Sequence, residues 1–239
     1  MKNSATFADK IIAFNASLKF NGSLPEHIAI MNPFKENDCA AAASEAFYKK
    51  YYNDQRPRFA ILGINPGRFG AGITGVPFTD PIRLKDPCGI TISSCPEARE
   101  PSSVFVYEII KAYGGVKEFY KDWYINSICP LGFIKEKKPG RWVNYNYYDS
   151  AALLNAATPF ILHTLPEQIA CGLHKTICFC FGKDKNSACM RKFNAEGNFF
   201  EKIVPLEHPR YIAQYKSSEM KDYALKYAKE FKKTVLEFS

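Results

Sequence analysis

Apolar side chains recur every three or four residues from Ser4 to Leu18, and the alanine-rich stretch from Cys39 to Tyr52 keeps its aromatics on one side. Both patterns predict helices. The periodicity then changes. Arg58-Phe-Ala-Ile-Leu-Gly-Ile64 is a short apolar run stopped by Asn65-Pro66-Gly67, as expected of a buried strand ended by a tight turn, with Pro66 fixing φ and Gly67 supplying a positive φ.

A glycine-rich loop is expected from there to about Arg83, followed by a helix capped by Ser102 and terminated at Gly114-Gly115. Trp123 to Ile128 reads as a second strand, closed by Pro130 and Gly132. A basic, aromatic loop then leads through Arg141 to Tyr148, and Asp149 caps a long helix to Leu173 that Pro166 should kink or divide. Thr176 to Phe181 is the third strand, Asp184 to Phe193 a short helix, and Phe199 to Val204 the fourth strand. The chain should turn at Pro205 through His208-Pro209 and finish in an amphipathic, lysine-rich helix from Ser217 to Phe238. Strands alternating with helices predict an α/β fold, its parallel sheet covered on both faces. With no internal repeat and no Pro-, Gly- or Ser-rich linker, residues 1–239 read as a single domain; the stretch from Lys135 to Asn146 reads as an ordered surface loop.

Composition narrows the class. Hydrophobic residues are 46% and charged residues 23% of the 239, enough to build a core without covalent staples. No basic leader precedes an apolar run and no apolar stretch nears the roughly 20 residues of a membrane span, so a soluble, intracellular (cytoplasmic) protein is expected. On that reading the eight cysteines are reduced thiols. Cys171, Cys178, Cys180 and Cys189 are the one group worth testing for a cluster, yet no C-x-x-C spacing is present, and Cys178 and Cys180 would share one face of a strand. No metal is expected. A formal charge of +8 favours a polyanionic partner, although a solvated basic surface would read the same way.

Ligands of open parallel sheets gather beyond the carboxyl ends of the strands. Asn65 follows the first strand, Asn126 lies near the end of the second, and His208 follows the fourth, so one crevice could collect all three. Singly, each has a structural explanation as a turn residue, a backbone partner or a core histidine.

Their surroundings resemble a known family. Gly63-Ile-Asn-Pro-Gly67, Phe69-Gly70 and Thr74-Gly-Val-Pro-Phe78 are similar to the first motif of single-strand-selective monofunctional (SMUG-type) uracil-DNA glycosylases. Asn126-Ser-Ile-Cys-Pro-Leu131 resembles the family's base-recognition strand, and His208-Pro209 the start of its second catalytic motif. The resemblance implies a three-layer α/β/α domain around a four-stranded parallel sheet with a pocket at its carboxyl edge. It also implies a cofactor-independent, monomeric enzyme that flips uracil out of DNA and hydrolyses the glycosidic bond without cutting the strand.

By the same resemblance, Gly63, Ile64 and Gly67 shape the base pocket and Phe78 stacks on the flipped ring. Asn126 reads uracil, its amide matching O4 and N3–H where cytosine offers the opposite pattern. His208 donates toward O2 of the departing base, and Asn65 positions the attacking water. An amide is a poor base, so the pathway should be dissociative. The chain departs from the family after His208-Pro209, where Arg210 and Tyr211 replace the usual wedge, and at Arg68, where proline is common. Those changes fit a bacterial-type subgroup with a wider range, including xanthine and 5-substituted uracils. Lys135, Lys137, Lys138 and Arg141, interleaved with Trp142, Tyr145 and Tyr147, suit either a DNA path or a solvated loop. Two rival readings remain: a nucleotide-binding transferase, for which neither G-x-G-x-x-G nor a P-loop is present, and a catalytically silent nucleic-acid-binding module.

Overall fold

The computed structural model describes residues 4–238. The first third of the chain forms α1 (Phe7–Ser17), β1 (Ile28–Met31), α2 (Pro33–Glu36), α3 (Asp38–Tyr51), β2 (Arg58–Gly63), α4 (Ala71–Thr74) and α5 (Pro81–Lys85). The middle forms α6 (Pro101–Tyr113), α7 (Val116–Asp122), β3 (Trp123–Ser127), β4 (Gly132–Lys138), β5 (Arg141–Tyr145) and α8 (Ala151–Ala170). The rest forms β6 (Leu173–Phe181), α9 (Lys185–Gly197), β7 (Lys202–Leu206), α10 (Pro209–Tyr215) and α11 (Met220–Phe238).

The four expected strands make the expected parallel sheet, in the order β3-β2-β6-β7. Successive strand residues point to opposite faces. Thus Trp123 packs on Phe231 of α11, while Tyr124 meets Phe7 of α1 and Tyr48 of α3. Helices α1, α3 and α8 cover one face, and α6 and α11 the other. All six residues of β2 are buried because this strand has neighbours on both edges and both faces, which explains its unbroken apolar run. Its one charge, Arg58, is fully buried. The guanidinium forks onto Asp54 at 2.5 and 3.0 Å, donates to the Arg56 carbonyl, and lies over the rings of Phe7 and Tyr52. A buried charge is tolerated when its N–H groups are satisfied in this way.

Several expectations are corrected. Lys135 to Asn146 is not a loop: β4 and β5 form a hairpin turning at Gly140, whose φ is +75°, and β1 extends it to a three-stranded antiparallel sheet. Pro139-Gly140 between two strand-like runs is its cause. The glycine-rich segment contains α4 and α5, the latter capped by Asp80. Helix α6 begins at Pro101 with Glu100 at the N-cap, since proline's missing N–H is not needed in a first turn. Ser150, not Asp149, caps α8, and the helix runs through Pro166 to Ala170 without dividing, held by its packed face. Pro205 lies inside β7, tolerated because β7 is an edge strand.

The all-thiol expectation also fails. The segment after α5 folds back on α3, where Lys50 and Tyr51 both donate to the Cys88 carbonyl. That brings Cys39 and Cys95 to a Cα separation of 5.1 Å, and they are disulfide-bonded. Cys178 and Cys180 are buried in β6 as core residues. Among the described residues, no helix is long and apolar enough to cross a membrane.

Candidate active site

At the carboxyl edge of the parallel sheet a cavity of about 350 Å³ is lined by Ile64, Asn65, Gly67, Phe78, Glu100, Asn144, Tyr148, His208, Arg210, Tyr211 and Tyr215, among others. Its size suits a small-molecule group such as a base. Residues from every third of the chain meet there, and Asn65 and His208 share one opening. A second hollow adjoins it across Ile64, Tyr148, His208 and Tyr211, and reaches the loop Gly182 to Lys185 after β6.

Asn65 leaves β2 pointing at the small sheet. Its Nδ2 donates to the Tyr145 carbonyl at 3.2 Å and its Oδ1 accepts from the Tyr147 N–H at 3.1 Å. Both ends of the amide are thus engaged by the chain leaving β5. Three residues on, the Arg68 N–H donates to Asn144 Oδ1 at 3.1 Å, a second tie to the same strand. Gly67 does not adopt the positive φ expected of it. Its place is set by the Glu100 carboxyl instead: a Cβ there would lie 2.7 Å from Glu100 Oε1, so any side chain would have to displace that carboxyl.

Phe78 does adopt a positive φ, +53°, uncommon for a bulky residue. Thr74 supports the bend from within, donating its hydroxyl to the Thr79 carbonyl at 2.6 Å and accepting from the Val76 N–H. The ring lies directly over Gly63, where a Cβ would come within 2.6 Å of Phe78 Cζ, and packs edge-on against Phe181. Gly63 therefore contributes by having no side chain.

His208 sits between β7 and α10 as the helix N-cap, with Pro209 at the first helical position. Its Nδ1 accepts from the Arg210 N–H at 3.1 Å, which assigns the proton to Nε2. Burial, with the neighbouring Arg210 cation adding to it, lowers the imidazole from 6.5 to about 4. At neutral pH the side chain is an uncharged donor through Nε2, and this nitrogen has no protein partner among the described residues.

Asn126 is placed differently from the expectation. It is buried in β3 beside Leu62, and it is not part of the cavity lining. Its Nδ2 donates to the Tyr124 hydroxyl at 2.5 Å and its Oδ1 accepts from the Ser127 N–H at 2.8 Å. Each amide atom keeps one further position for a bound base, the second N–H of Nδ2 and the second lone pair of Oδ1. Of the expected DNA contacts, Arg210 and Tyr211 line the cavity, whereas Lys138 and Arg141 face each other at the far tip of the hairpin.

Sequence reasoning missed Glu100, Asn144, Tyr148 and Tyr215. Glu100 is the one carboxyl among the lining residues, carried there as the N-cap of α6. Its N–H donates to Asp80 Oδ2 at 2.9 Å. Burial and the Asp80 charge raise its carboxyl from 4.5 to about 7 against the opposing effect of Arg210. The Glu-Pro pair opening a helix was the available signal. Asn144 and Tyr148 come from the stretch taken for a surface loop.

Comparison with known proteins agrees with this geometry. The family model of the uracil DNA glycosylase superfamily matches residues 49–232. The crystal structure of wild-type Pedobacter heparinus SMUG2 superposes with a TM-score of 0.94 at 51% identity, covering 99% of this chain and 100% of that one. No curated protein matches the chain.

Proposed function

The chain belongs to the uracil DNA glycosylase superfamily, and from that premise we propose that it hydrolyses the N-glycosidic bond of uracil in DNA, leaving an abasic site for base excision repair. One observation carries the reading: a neutral imidazole whose Nε2–H is unengaged opens into the same cavity as Asn65 and Phe78. A nucleotide stacked in DNA cannot present its glycosidic bond, so the base must first be extruded, at a cost of a few kcal/mol and less from single strands. Phe78 takes the flipped ring, a stacking contact worth about 1–3 kcal/mol whichever base is present.

Bond cleavage places positive charge on the sugar and negative charge on the departing base. The His208 Nε2–H donates to O2 of that base, and a neutral donor suffices because the charge it meets is developing, not permanent. Asn65, held at both ends, orients the water. Asn126 supplies discrimination by presenting the remaining N–H and lone pair of its amide to the uracil edge. Gly63, Ile64 and Gly67 form the wall that admits the base, and Arg210 and Tyr211 meet the DNA beside the gap. Xanthine and 5-substituted uracils fall within the same reading.

The test is incubation with single- and double-stranded oligonucleotides carrying uracil or xanthine, followed by alkali. Alkali-labile sites should appear at uracil without prior strand cleavage. Their absence from both strand forms, with clean controls, would leave the silent binding module as the surviving account.

A further inference from the structure

The mechanism above leaves unused the one carboxyl in the cavity. Building on the glycosylase reading, we propose that Glu100 is the general base of the reaction, taking a proton from the water that attacks C1′ while the base departs toward His208.

Geometry supports this from two sides. Asn65 cannot accept a proton at neutral pH, and its amide is engaged at both ends by Tyr145 and Tyr147, so it holds water without deprotonating it. Glu100 lies against the turn that follows Asn65: its carboxyl fills the space a side chain at Gly67 or Gly70 would need. That turn keeps two glycines where the carboxyl approaches. Asp80, fully buried, fixes the backbone of Glu100 and accepts from the Arg83 N–H, while the Asp80 N–H donates to the Ser103 hydroxyl, so the position is set by α5 and α6 together.

The step balances. The electron pair of the C1′–N bond leaves with the base, whose O2 accepts from His208. A water oxygen bonds to C1′ and its proton passes to the Glu100 carboxylate, which later returns it to the expelled base anion. The carboxylate also faces the positive charge that develops on the sugar, the sign that lowers the barrier.

The charged and titratable groups around Glu100 are Asp80 with its partner Arg83 from α5, Arg210 and His208 at α10, and the phenols of Tyr148, Tyr211 and Tyr215. Only the ionised carboxyl is a base. With its pKa raised to about 7, excision should rise with pH through neutrality. His208 is not the source of that limb, because its imidazole is neutral above about 4.

Single-turnover excision of uracil from a single-stranded oligonucleotide, followed from about pH 5 to about pH 9, tests the assignment. The wild-type rate should climb through neutrality. Glu100→Gln should lose on the order of 10²–10⁴-fold at the alkaline plateau and lose the climb as well. Its affinity for an oligonucleotide with a non-cleavable uracil analogue should stay unchanged, and Glu100→Asp should restore a pH-dependent rate. A Glu100→Gln rate within about threefold of wild type, or a pH climb that survives the substitution, overturns the proposal. Should Glu100→Gln melt early, the other arms decide: a flat wild-type profile through neutrality, or a flat Glu100→Asp profile, overturns it too. A wild-type protein inactive on uracil at every pH would sink the glycosylase reading instead, and so is distinguishable.

Discussion

The two walls of the cavity are built on different principles. On one side Asn65 and Arg68 are tied at several points to the chain around β5, and Glu100 is tied to Asp80. On the other, α10 offers an imidazole held at one nitrogen, then Tyr211 at 40% and Tyr215 at 73% exposure, their rings 5.6 Å apart. The first wall is fixed before any substrate arrives; the second leaves donor and stacking groups free. Groups that orient water gain from preorganisation, because they need not rearrange during the reaction. Groups that receive an extruded strand gain from exposed faces, because bases of any identity can stack on them.

Substitutions on the two walls should therefore fail differently. After Glu100→Gln, the largest effect is expected from His208→Asn, which removes the donor to the leaving group: excision should fall on the order of 10²–10³-fold with DNA affinity retained. Equal losses in rate and affinity, measured by single-turnover kinetics and binding titration, would make His208 structural. Next is Asn65→Ala. It should slow excision and also destabilise the fold by about 1–3 kcal/mol, because the Tyr147 N–H and Tyr145 carbonyl lose their partner. A melting temperature equal to that of the wild type would show that this wall is not wired as described. The smallest effect is expected from Tyr215→Ala. It should weaken single-strand binding by up to about 1–3 kcal/mol, with no change in melting temperature or single-turnover rate at saturation. A loss confined to duplex DNA would reassign the tyrosine pair to a wedge.

The same division explains what was legible beforehand. Strands β2, β3 and β6 stood out because a sheet covered on both faces demands continuous apolar runs. The hairpin did not, since Lys135, Lys137 and Lys138 interrupt its alternation and its few apolar residues face a small sheet with solvent on one side. With the hairpin went Asn144 and the carbonyl that holds Asn65. Glu100 stayed hidden because its one local mark, the Glu-Pro pair that opens a helix, says nothing of its chemistry; its raised carboxyl arises from burial and from Asp80, twenty positions earlier and packed beside it only after folding.

The order of residues by itself determined the parallel sheet, the stop at Asn65-Pro66-Gly67, and the pairing of an amide with a distant imidazole at strand ends, because apolar periodicity and turn chemistry are local. Tertiary structure alone decided that Asn126 is engaged by Tyr124 and Ser127, that Gly67 packs against the Glu100 carboxyl without a positive φ, that Cys39 meets Cys95, and that His208 is neutral with its proton on Nε2. Each of these depends on how side chains and helix ends are packed and buried, which is not set until the layers close.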